Sequence, residues 1–200
     1  MLTLVIQAGG ESLRMGQDKA LLPFLGQPLI QRVVARLAGL ADETFVTTNH
    51  PQSYGFLDLP LVADLLPGCG ALGGLYTALV TANHPTVAVV ACDMPFVHRG
   101  LLAAQVEMLL NTPADLVIPG SLKGLEPFHA VYRRDACLPH VQAALDAGER
   151  RVDSWFNLVR MRSLKQEEIQ LYDPRMLSFC NINTPEELQL AEQWAKELGD

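Results

Sequence analysis

Short apolar runs rich in β-branched residues alternate along this chain with longer amphipathic stretches. The apolar runs predict strands and cover residues 2–7, 44–48, 86–91, 115–118 and 128–132. The amphipathic stretches predict helices and cover residues 29–40, 72–82, 100–110, 135–147 and 185–198. This alternation is typical of an α/β protein with a mostly parallel sheet.

The ends of the predicted strands indicate where a ligand should bind. In open α/β sheets, ligands collect outside the carboxyl ends of the strands. We therefore expect the functional site in the loops that follow Gln7, Thr48, Ala91 and Tyr132.

Composition narrows the class of protein. The chain has 200 residues, of which 49% are hydrophobic, and this is enough for one well-buried domain spanning residues 1–200. The net charge of −7 argues against a nucleic-acid-binding surface. The longest uninterrupted apolar run, Val87 to Cys92, is far shorter than the roughly 20 residues of a membrane span. We predict a cytoplasmic protein with no nucleic-acid or membrane partner.

The four cysteines are spread singly along the chain at positions 69, 92, 137 and 180. Without a C-x-x-C pair, neither a zinc site nor a redox motif is indicated. Reduced and mostly buried thiols with no catalytic role are therefore expected.

A glycine-rich segment follows the first predicted strand. Gly9 and Gly10 allow close approach of the backbone to a ligand, and Arg14 and Lys19 add positive charge. Such a segment can hold a nucleoside triphosphate. No Ser or Thr follows Lys19, so the segment is not a Walker-type phosphate loop. The alternative is an ordinary glycine turn followed by surface charges.

A single carboxylate, Asp93, follows the predicted buried strand at residues 86–91, and Pro95 prevents that strand from continuing. A divalent cation is a natural partner, because Mg²⁺ is commonly held by one or two carboxylates together with substrate phosphates. The alternative is that Asp93 caps the helix that follows Pro95.

The glycines at positions 68, 70 and 73 match the pattern G-x-G-x-x-G, and Asp93 follows at the spacing of a dinucleotide-binding fold. Pro67 separates these glycines from any preceding strand, which argues against NAD binding. The other interpretation is a glycine loop that begins a helix, in which the backbone of Gly70 could contact a base.

Two polar residues follow strand-like runs in the first half of the chain. The side chains of Asn49 and Asp64 could bind a purine edge or a ribose. Taken singly, each is equally compatible with a turn.

Further candidates for binding a second substrate lie in the second half. Glu126 and His129 stand at the start of a predicted strand, although His129 is also compatible with a structural role. Arg150 could anchor an anionic substrate or belong to a solvated helix end. Asn181 and Asn183 alternate along a predicted short strand before a capped helix and could hydrogen-bond the same ligand.

In combination, these motifs resemble the molybdenum cofactor guanylyltransferases, which join GMP to molybdopterin. The segments that carry the resemblance are Ala8-Gly9-Gly10, Arg14-Met15-Gly16, Asp18-Lys19, Gly70 to Gly74, Cys92 to Pro95, Gly148 to Arg151 and Asn181 to Leu188. The resemblance covers nearly the whole chain. It implies an α/β, three-layer Rossmann-like nucleotidyltransferase fold with a mostly parallel mixed sheet. Residues of about 1–97 would form a nucleotide-binding half and residues of about 98–200 an acceptor-binding half.

The resemblance also implies the substrates and the residues that bind them. GTP would contact residues of the first half, namely Gln7, Ala8, Gly9, Gly10, Lys19, Asn49, Asp64, Gly70 and Asp93. Asp93 would also ligate Mg²⁺, and Arg14 and Lys19 would act with it in catalysis. The phosphate of molybdopterin would attack the α-phosphorus and release pyrophosphate. The acceptor side would include Glu126, His129, Arg150, Asn181 and Asn183.

One departure from the family concerns Gln7, where the family usually has Leu. Gln7 could bind the base or face solvent. The segment from Ala8 to Gly10 favours GTP over CTP, because cytidylyl-transferring relatives tend to carry Ala-Ala-Gly there. A nucleotidyltransferase that uses CTP or a sugar phosphate, and a non-catalytic nucleotide-binding module, remain as alternatives. Transient contacts with molybdenum-insertion and molybdoenzyme-maturation proteins are also expected.

Overall fold

A computed structural model describes residues 1–8 and 18–199. The predicted site residues Gly9, Gly10 and Arg14 lie outside the described residues. The strands are β1 (Leu2–Gln7), β2 (Pro23–Phe24), β3 (Gln27–Pro28), β4 (Glu43–Thr47), β5 (Leu61–Val62), β6 (Thr86–Ala91), β7 (Leu116–Ser121), β8 (Gly124–Leu125), β9 (His129–Arg133) and β10 (Met161–Leu164). The helices are α1 (Leu29–Leu37), α2 (Gly70–Thr81), α3 (Arg99–Asn111), α4 (Arg134–Asp146), α5 (Gln166–Gln170) and α6 (Pro185–Glu197).

One main sheet has the strand order β10-β7-β9-β6-β1-β4-β5, with β8 paired to β7. The pairs β6–β1, β1–β4, β4–β5 and β10–β7 are parallel, whereas β9 runs antiparallel to β6 and β7. The predicted mixed, mostly parallel sheet is therefore confirmed.

Helices cover both faces of this sheet, because successive side chains of a strand point to opposite faces. In β1, Leu4 and Ile6 belong to a core cluster that includes residues of α1 and α3. Val5 points the other way, into a cluster that includes residues of α2 and α4. The arrangement has the three layers of helix, sheet and helix that were predicted.

A smaller cluster joins the two ends of the described chain. The hairpin of β2 and β3 supplies Phe24, which packs with Phe96 and with Ile182 and Ala191 from the region of α6. Thr184 caps α6 by accepting a hydrogen bond from the backbone N–H of Glu187, with Pro185 in the first turn, as the sequence predicts. None of the described helices is long and apolar enough to cross a membrane.

The carboxyl ends of the central strands are level with one another. Gln7 of β1 pairs in register with Thr47 of β4 and with Ala91 of β6. The prediction for the loop after Tyr132 is wrong: β9 is antiparallel, so its carboxyl end lies at the opposite edge, where Arg133 pairs with Thr86. The start of β9 lies at the site edge instead.

The predicted short strand across Asn181 and Asn183 is also wrong. The chain there is an irregular connection between a 3₁₀ turn at Leu177–Phe179 and α6. Among the cysteines, Cys137 is buried and the other three are partly buried.

Candidate active site

A cleft of about 410 Å³ opens at the carboxyl edge of the sheet, and we refer to it as the carboxyl-edge cleft. Of the residues predicted to bind the nucleotide, those that line this cleft are Gln7, Ala8, Lys19, Asn49, Asp64, Gly70 and Asp93. They come from the ends of β1, β4, β5 and β6, from the start of α2 and from a 3₁₀ turn at Lys19–Leu21. The fold thus brings together residues that are far apart in the sequence.

Asp93 lies just beyond β6 and carries a buried carboxylate oxygen, Oδ1, with no hydrogen-bond partner among the described residues. Burial raises the pKa of Asp93, and the positive charge of Lys19 acts in the opposite direction. Asp93 is not a helix cap, because His98 caps α3 by accepting a hydrogen bond at Nδ1 from the N–H of Leu101 (3.1 Å). An unpaired buried carboxylate oxygen is a suitable ligand for a metal ion or a hydrogen-bond donor.

Lys19 begins a 3₁₀ turn at Lys19–Leu21, which is capped by the residue before it. The carboxylate of Asp18 caps that turn by accepting a hydrogen bond from the N–H of Ala20 (3.1 Å). The buried hydroxyl of Tyr54 donates a hydrogen bond to the other carboxylate oxygen of Asp18. Lys19 Nζ donates a hydrogen bond to Asn183 Oδ1 (2.6 Å). The backbone around Lys19 and its ammonium group are therefore both fixed.

Asn49 and Asp64 form a reciprocal pair at the ends of β4 and β5. Asn49 Nδ2 donates to Asp64 Oδ2 (2.9 Å), and the N–H of Asp64 donates to Asn49 Oδ1 (3.1 Å). The remaining oxygen of Asp64, Oδ1, is buried without a partner among the described residues. It can accept a hydrogen bond from a hydroxyl or a base N–H of a ligand.

Gln7 ends β1 and packs its carboxamide against Gly74 of α2. A Cβ at position 74 would lie 3.3 Å from both Nε2 and Oε1 of Gln7. Nε2 is buried, and among the described residues it has no hydrogen-bond partner. The cleft therefore contains an amide nitrogen, Gln7 Nε2, that has no partner in the described part of the chain and could donate a hydrogen bond to a ligand.

The G-x-G-x-x-G match does not form a dinucleotide-binding unit. That unit requires adjacent parallel strands joined by a helix, but β5 and β6 are separated in the sheet by β4 and β1. Gly68 and Gly70 adopt left-handed backbone angles, with φ of 78° and 61°. They turn the chain into the start of α2, and both line the carboxyl-edge cleft.

The predicted acceptor residues Glu126 and His129 have different surroundings. Glu126 is half-buried at the β8–β9 turn, and its carboxylate accepts a hydrogen bond from Ser121 Oγ (2.5 Å). Burial raises the pKa of Glu126, and the negative charge of Asp93 acts in the same direction. His129 is fully buried, and its Nδ1 lies 3.0 Å from Gln105 Oε1. Burial lowers the pKa of His129 to about 4. His129 is not among the residues that line the cleft.

The other predicted acceptor residues are not among those that line the cleft, but Arg150 and Asn183 lie close to residues that do. Arg150 is exposed on the loop after α4, and its carbonyl oxygen lies 3.8 Å from the Cβ position of Gly70. Asn181 and Asn183 are partly buried in the connection that precedes α6. Asn183 touches Lys19, so at least one predicted acceptor residue is in direct contact with the nucleotide side of the site.

Sequence reasoning missed two residues that support Lys19. Asp18 lines the cleft, and its position directly before a turn was a usable capping signal. Tyr54 gave no such signal, because its partner is 36 residues away in the sequence. Phe128 also lines the cleft, from the residue before β9.

Comparison with known proteins shows the family of this chain. Residues 4–164 match the family model described as MobA-like NTP transferase domain. A probable molybdenum cofactor guanylyltransferase from Chloroflexus aggregans is 38% identical, over 97% of this chain and 95% of that protein. A molybdenum cofactor guanylyltransferase from Desulfosudis oleivorans is 33% identical, over 95% of this chain and 94% of that protein.

Among solved structures, molybdopterin-guanine dinucleotide biosynthesis protein A from Archaeoglobus fulgidus superposes with a TM-score of 0.85. It is 25% identical, and the match covers 98% of this chain and 99% of that one. The family match, these relatives and the mixed three-layer sheet agree, and the chain belongs to the family of MobA-like NTP transferase domains.

Proposed function

We propose that this protein transfers GMP from GTP to the phosphate of molybdopterin, forming the guanine dinucleotide form of the molybdenum cofactor and releasing pyrophosphate. The observation that carries the proposal is the buried carboxylate oxygen Oδ1 of Asp93, which has no hydrogen-bond partner among the described residues and belongs to the cleft that Lys19 also lines. The choice of substrates in the proposal is based on the relatives that are named molybdenum cofactor guanylyltransferases. The chain is accordingly an enzyme of the nucleotidyltransferase class.

The reaction needs positioned charge and no protein nucleophile. An oxygen of the molybdopterin phosphate forms a bond to the α-phosphorus of GTP, and the bond between that phosphorus and the bridging oxygen of the β-phosphate breaks. The electron pair of the broken bond leaves with pyrophosphate. Lys19, and Arg14 from the segment outside the described residues, stabilise the negative charge that develops on the phosphate oxygens.

The nucleotidyltransferase class uses a divalent metal, and the residues present fit Mg²⁺. Among the described residues no group of three or more His, Cys, Asp or Glu is arranged to hold a metal ion. Mg²⁺ does not require such a group when substrate phosphates complete its coordination. Asp93 would hold the ion through Oδ1, which has no partner among the described residues, and the bound ion would supply positive charge to the phosphates.

The remaining residues divide between the two substrates. Gln7, Ala8, Asn49, Asp64 and the backbone at Gly70 would bind the nucleoside, and Gly9 and Gly10 would contribute backbone N–H groups to the phosphates. On the acceptor side, the proposal retains Glu126, Arg150, Asn181 and Asn183, which lie near the cleft. His129 would act only through the packing of β9, since it is fully buried.

The same proposal includes the organisation of the chain and its surroundings. Residues of about 1–97 would bind the nucleotide and those of about 98–200 the acceptor, within one domain over residues 1–200. The location would be cytoplasmic, with transient contacts to proteins that insert molybdenum or mature molybdoenzymes.

A transfer assay tests the proposal. The protein is incubated with Mg²⁺, molybdopterin and one of GTP, CTP or ATP, and both pyrophosphate and the dinucleotide product are measured. We expect product from GTP only, and none from GTP when molybdopterin is omitted. Turnover with CTP would reassign the protein as a cytidylyltransferase. Binding of GTP without any transfer would favour the non-catalytic module.

A further inference from the structure

The connection between the last 3₁₀ turn and α6 contacts two of the charged residues that line the cleft, Lys19 and Asp93. The N–H of Ile182 donates a hydrogen bond to the carbonyl oxygen of Asp93 (3.1 Å). One residue further on, Asn183 Oδ1 accepts a hydrogen bond from Lys19 Nζ (2.6 Å). Ile182 and Asn183 therefore form a two-residue segment that links the backbone of Asp93 to the side chain of Lys19.

This segment is anchored by burial on one side of Asn183. Ile182 is fully buried in the small cluster with Leu29, Phe96 and Ala191. Packing of this kind keeps a side chain in one rotamer and one place. The backbone that carries the Asn183 side chain is therefore fixed by the core of the protein.

The start of α6 anchors the other side of the segment. Glu187 Oε2 accepts hydrogen bonds from the N–H of Asn183 (2.6 Å) and from the N–H of Thr184 (3.1 Å). Thr184 Oγ1 in turn accepts a hydrogen bond from the N–H of Glu187 (3.2 Å). These bonds form a capping box that also includes the backbone of Asn183.

An amide is chemically suited to hold this lysine. The lysine side chain has a flexible four-carbon stem, and its ammonium group has three N–H donors. A neutral oxygen can fix one donor while the positive charge and two donors remain for phosphate oxygens. A carboxylate in the same place would neutralise much of that charge.

We propose that Asn183 is a positioning residue for nucleotide binding: its amide oxygen, fixed by the start of α6, holds the Lys19 ammonium in place for the phosphates of GTP. The proposal rests on the proposed function. It assigns to Asn183 a role on the nucleotide side, in addition to the acceptor side where sequence reasoning put it. The acceptor half of the chain would thereby complete the nucleotide site of the other half.

A double-mutant cycle measured by calorimetric titration with GTP and Mg²⁺, in the absence of molybdopterin, tests this role. Asn183→Ala should weaken GTP binding about tenfold, the effect expected for losing a hydrogen bond to a charged group. Lys19→Met should weaken it by at least as much. In the Lys19→Met background, adding Asn183→Ala should change the affinity less than about twofold. A merely structural role of Asn183 would instead give losses that multiply.

Two further variants make the outcome decisive. Asn83→Ala removes an exposed asparagine at the opposite edge of the sheet, where it hydrogen-bonds Glu43, and should leave GTP affinity unchanged. If Asn183→Ala does not fold, Asn183→Leu preserves the volume and removes the oxygen, and it should reproduce the same coupling to Lys19.

The experiment distinguishes a failure of the proposed function from a failure of the positioning role. If the wild-type protein does not bind GTP, the proposed function itself is wrong. If the wild-type protein binds GTP but Asn183→Ala leaves the affinity unchanged, or the two losses multiply, the positioning role is wrong and the proposed function stands.

Discussion

The polar groups at the amino and carboxyl ends of the central strands, which we call the amino edge and the carboxyl edge of the sheet, differ in their hydrogen bonding. At the amino edge, the N–H of Leu2 donates to Asp42 Oδ2 (2.7 Å) and the hydroxyl of Thr3 donates to Glu43 Oε2 (2.5 Å). The N–H of Asn83 donates to the same Glu43 oxygen (3.0 Å). These groups satisfy one another without a ligand.

At the carboxyl edge, buried polar atoms remain unpaired within the described part of the chain: Gln7 Nε2, Asp64 Oδ1 and Asp93 Oδ1. Leaving a buried polar group without a partner costs about 1–3 kcal/mol. At the amino edge the protein itself therefore satisfies the hydrogen bonds of these polar groups. We infer that at the carboxyl edge the substrate satisfies them. The difference locates function at the carboxyl edge and stability at the amino edge.

Removing the Asp93 carboxylate should have the largest effect on activity of the substitutions considered. Asp93→Asn should lower the transfer rate by about 10²–10³-fold, the magnitude expected for a group that stabilises charge in the transition state. Thermal unfolding should occur at the same temperature or slightly higher, because burial already disfavours the charged form of Asp93. Steady-state kinetics and calorimetry measure the two effects. A stability loss at normal activity would contradict the metal role.

His129 tests whether an unpaired atom at this edge always serves a ligand. Its Nε2 is unpaired among the described residues, yet the ring is buried against Phe179 and outside the cleft. Burial lowers the pKa of His129 from 6.5 to about 4, so between these values the unfolded chain binds the proton and the folded protein does not. The free energy of unfolding should fall by about 3 kcal/mol as the pH drops through that window.

Urea unfolding at several pH values measures this change. His129→Gln should reduce the pH dependence, whereas His50→Gln, at an exposed position, should leave it unchanged. An unaltered pH dependence in His129→Gln would mean that other groups cause it.

Glu43 supplies the matching test at the amino edge. Glu43→Ala removes the acceptor for the hydroxyl of Thr3, which is fully buried, and for Asn83. We expect the free energy of unfolding to fall by about 2 kcal/mol while GTP affinity stays the same. Chemical denaturation and calorimetric titration measure the two quantities. A loss of GTP affinity comparable to that of Lys19→Met would remove the distinction between the edges.

Gly74→Ala should have the smallest effect. The new Cβ would lie 3.3 Å from the Gln7 carboxamide and displace it, which should weaken GTP binding a few-fold. Stability should be unchanged or raised by up to about 1 kcal/mol, because Ala is favoured over Gly inside a helix. In a Gln7→Ala background, the effect on affinity should disappear. A persistent loss in that background would show that Gln7 does not mediate it.

The sequence predicted the centre of the fold well, because buried parallel strands are continuous apolar runs. The bounds of β1 and β6 agree with the predicted ranges 2–7 and 86–91. The edge strand β10 was missed, since Met161–Leu164 contains Arg162 and Ser163 and has no apolar run. The direction of β9 was also missed, because a strand's own residues do not encode which way it runs.

Several of the predicted site residues that follow a strand lie together in the structure. Asn49, Asp64 and Asp93 line the cleft because strand ends converge there. His129 is buried beside Gln105, which is 24 residues away in the sequence. The residues next to His129 in the sequence therefore did not indicate that it belongs to the core. The bond between Lys19 and Asn183 spans 164 residues and was equally invisible to local patterns.

A crystal structure of the wild-type protein with GTP and Mg²⁺ would test the central claim most directly. We expect phosphates beside Lys19, the metal ion on Asp93 Oδ1, and the nucleoside against Asn49, Asp64 and Gln7. GTP bound at another surface, or bound in the cleft with the Asp93 and Asp64 oxygens still unpaired, would contradict the inference that the substrate completes this edge of the sheet.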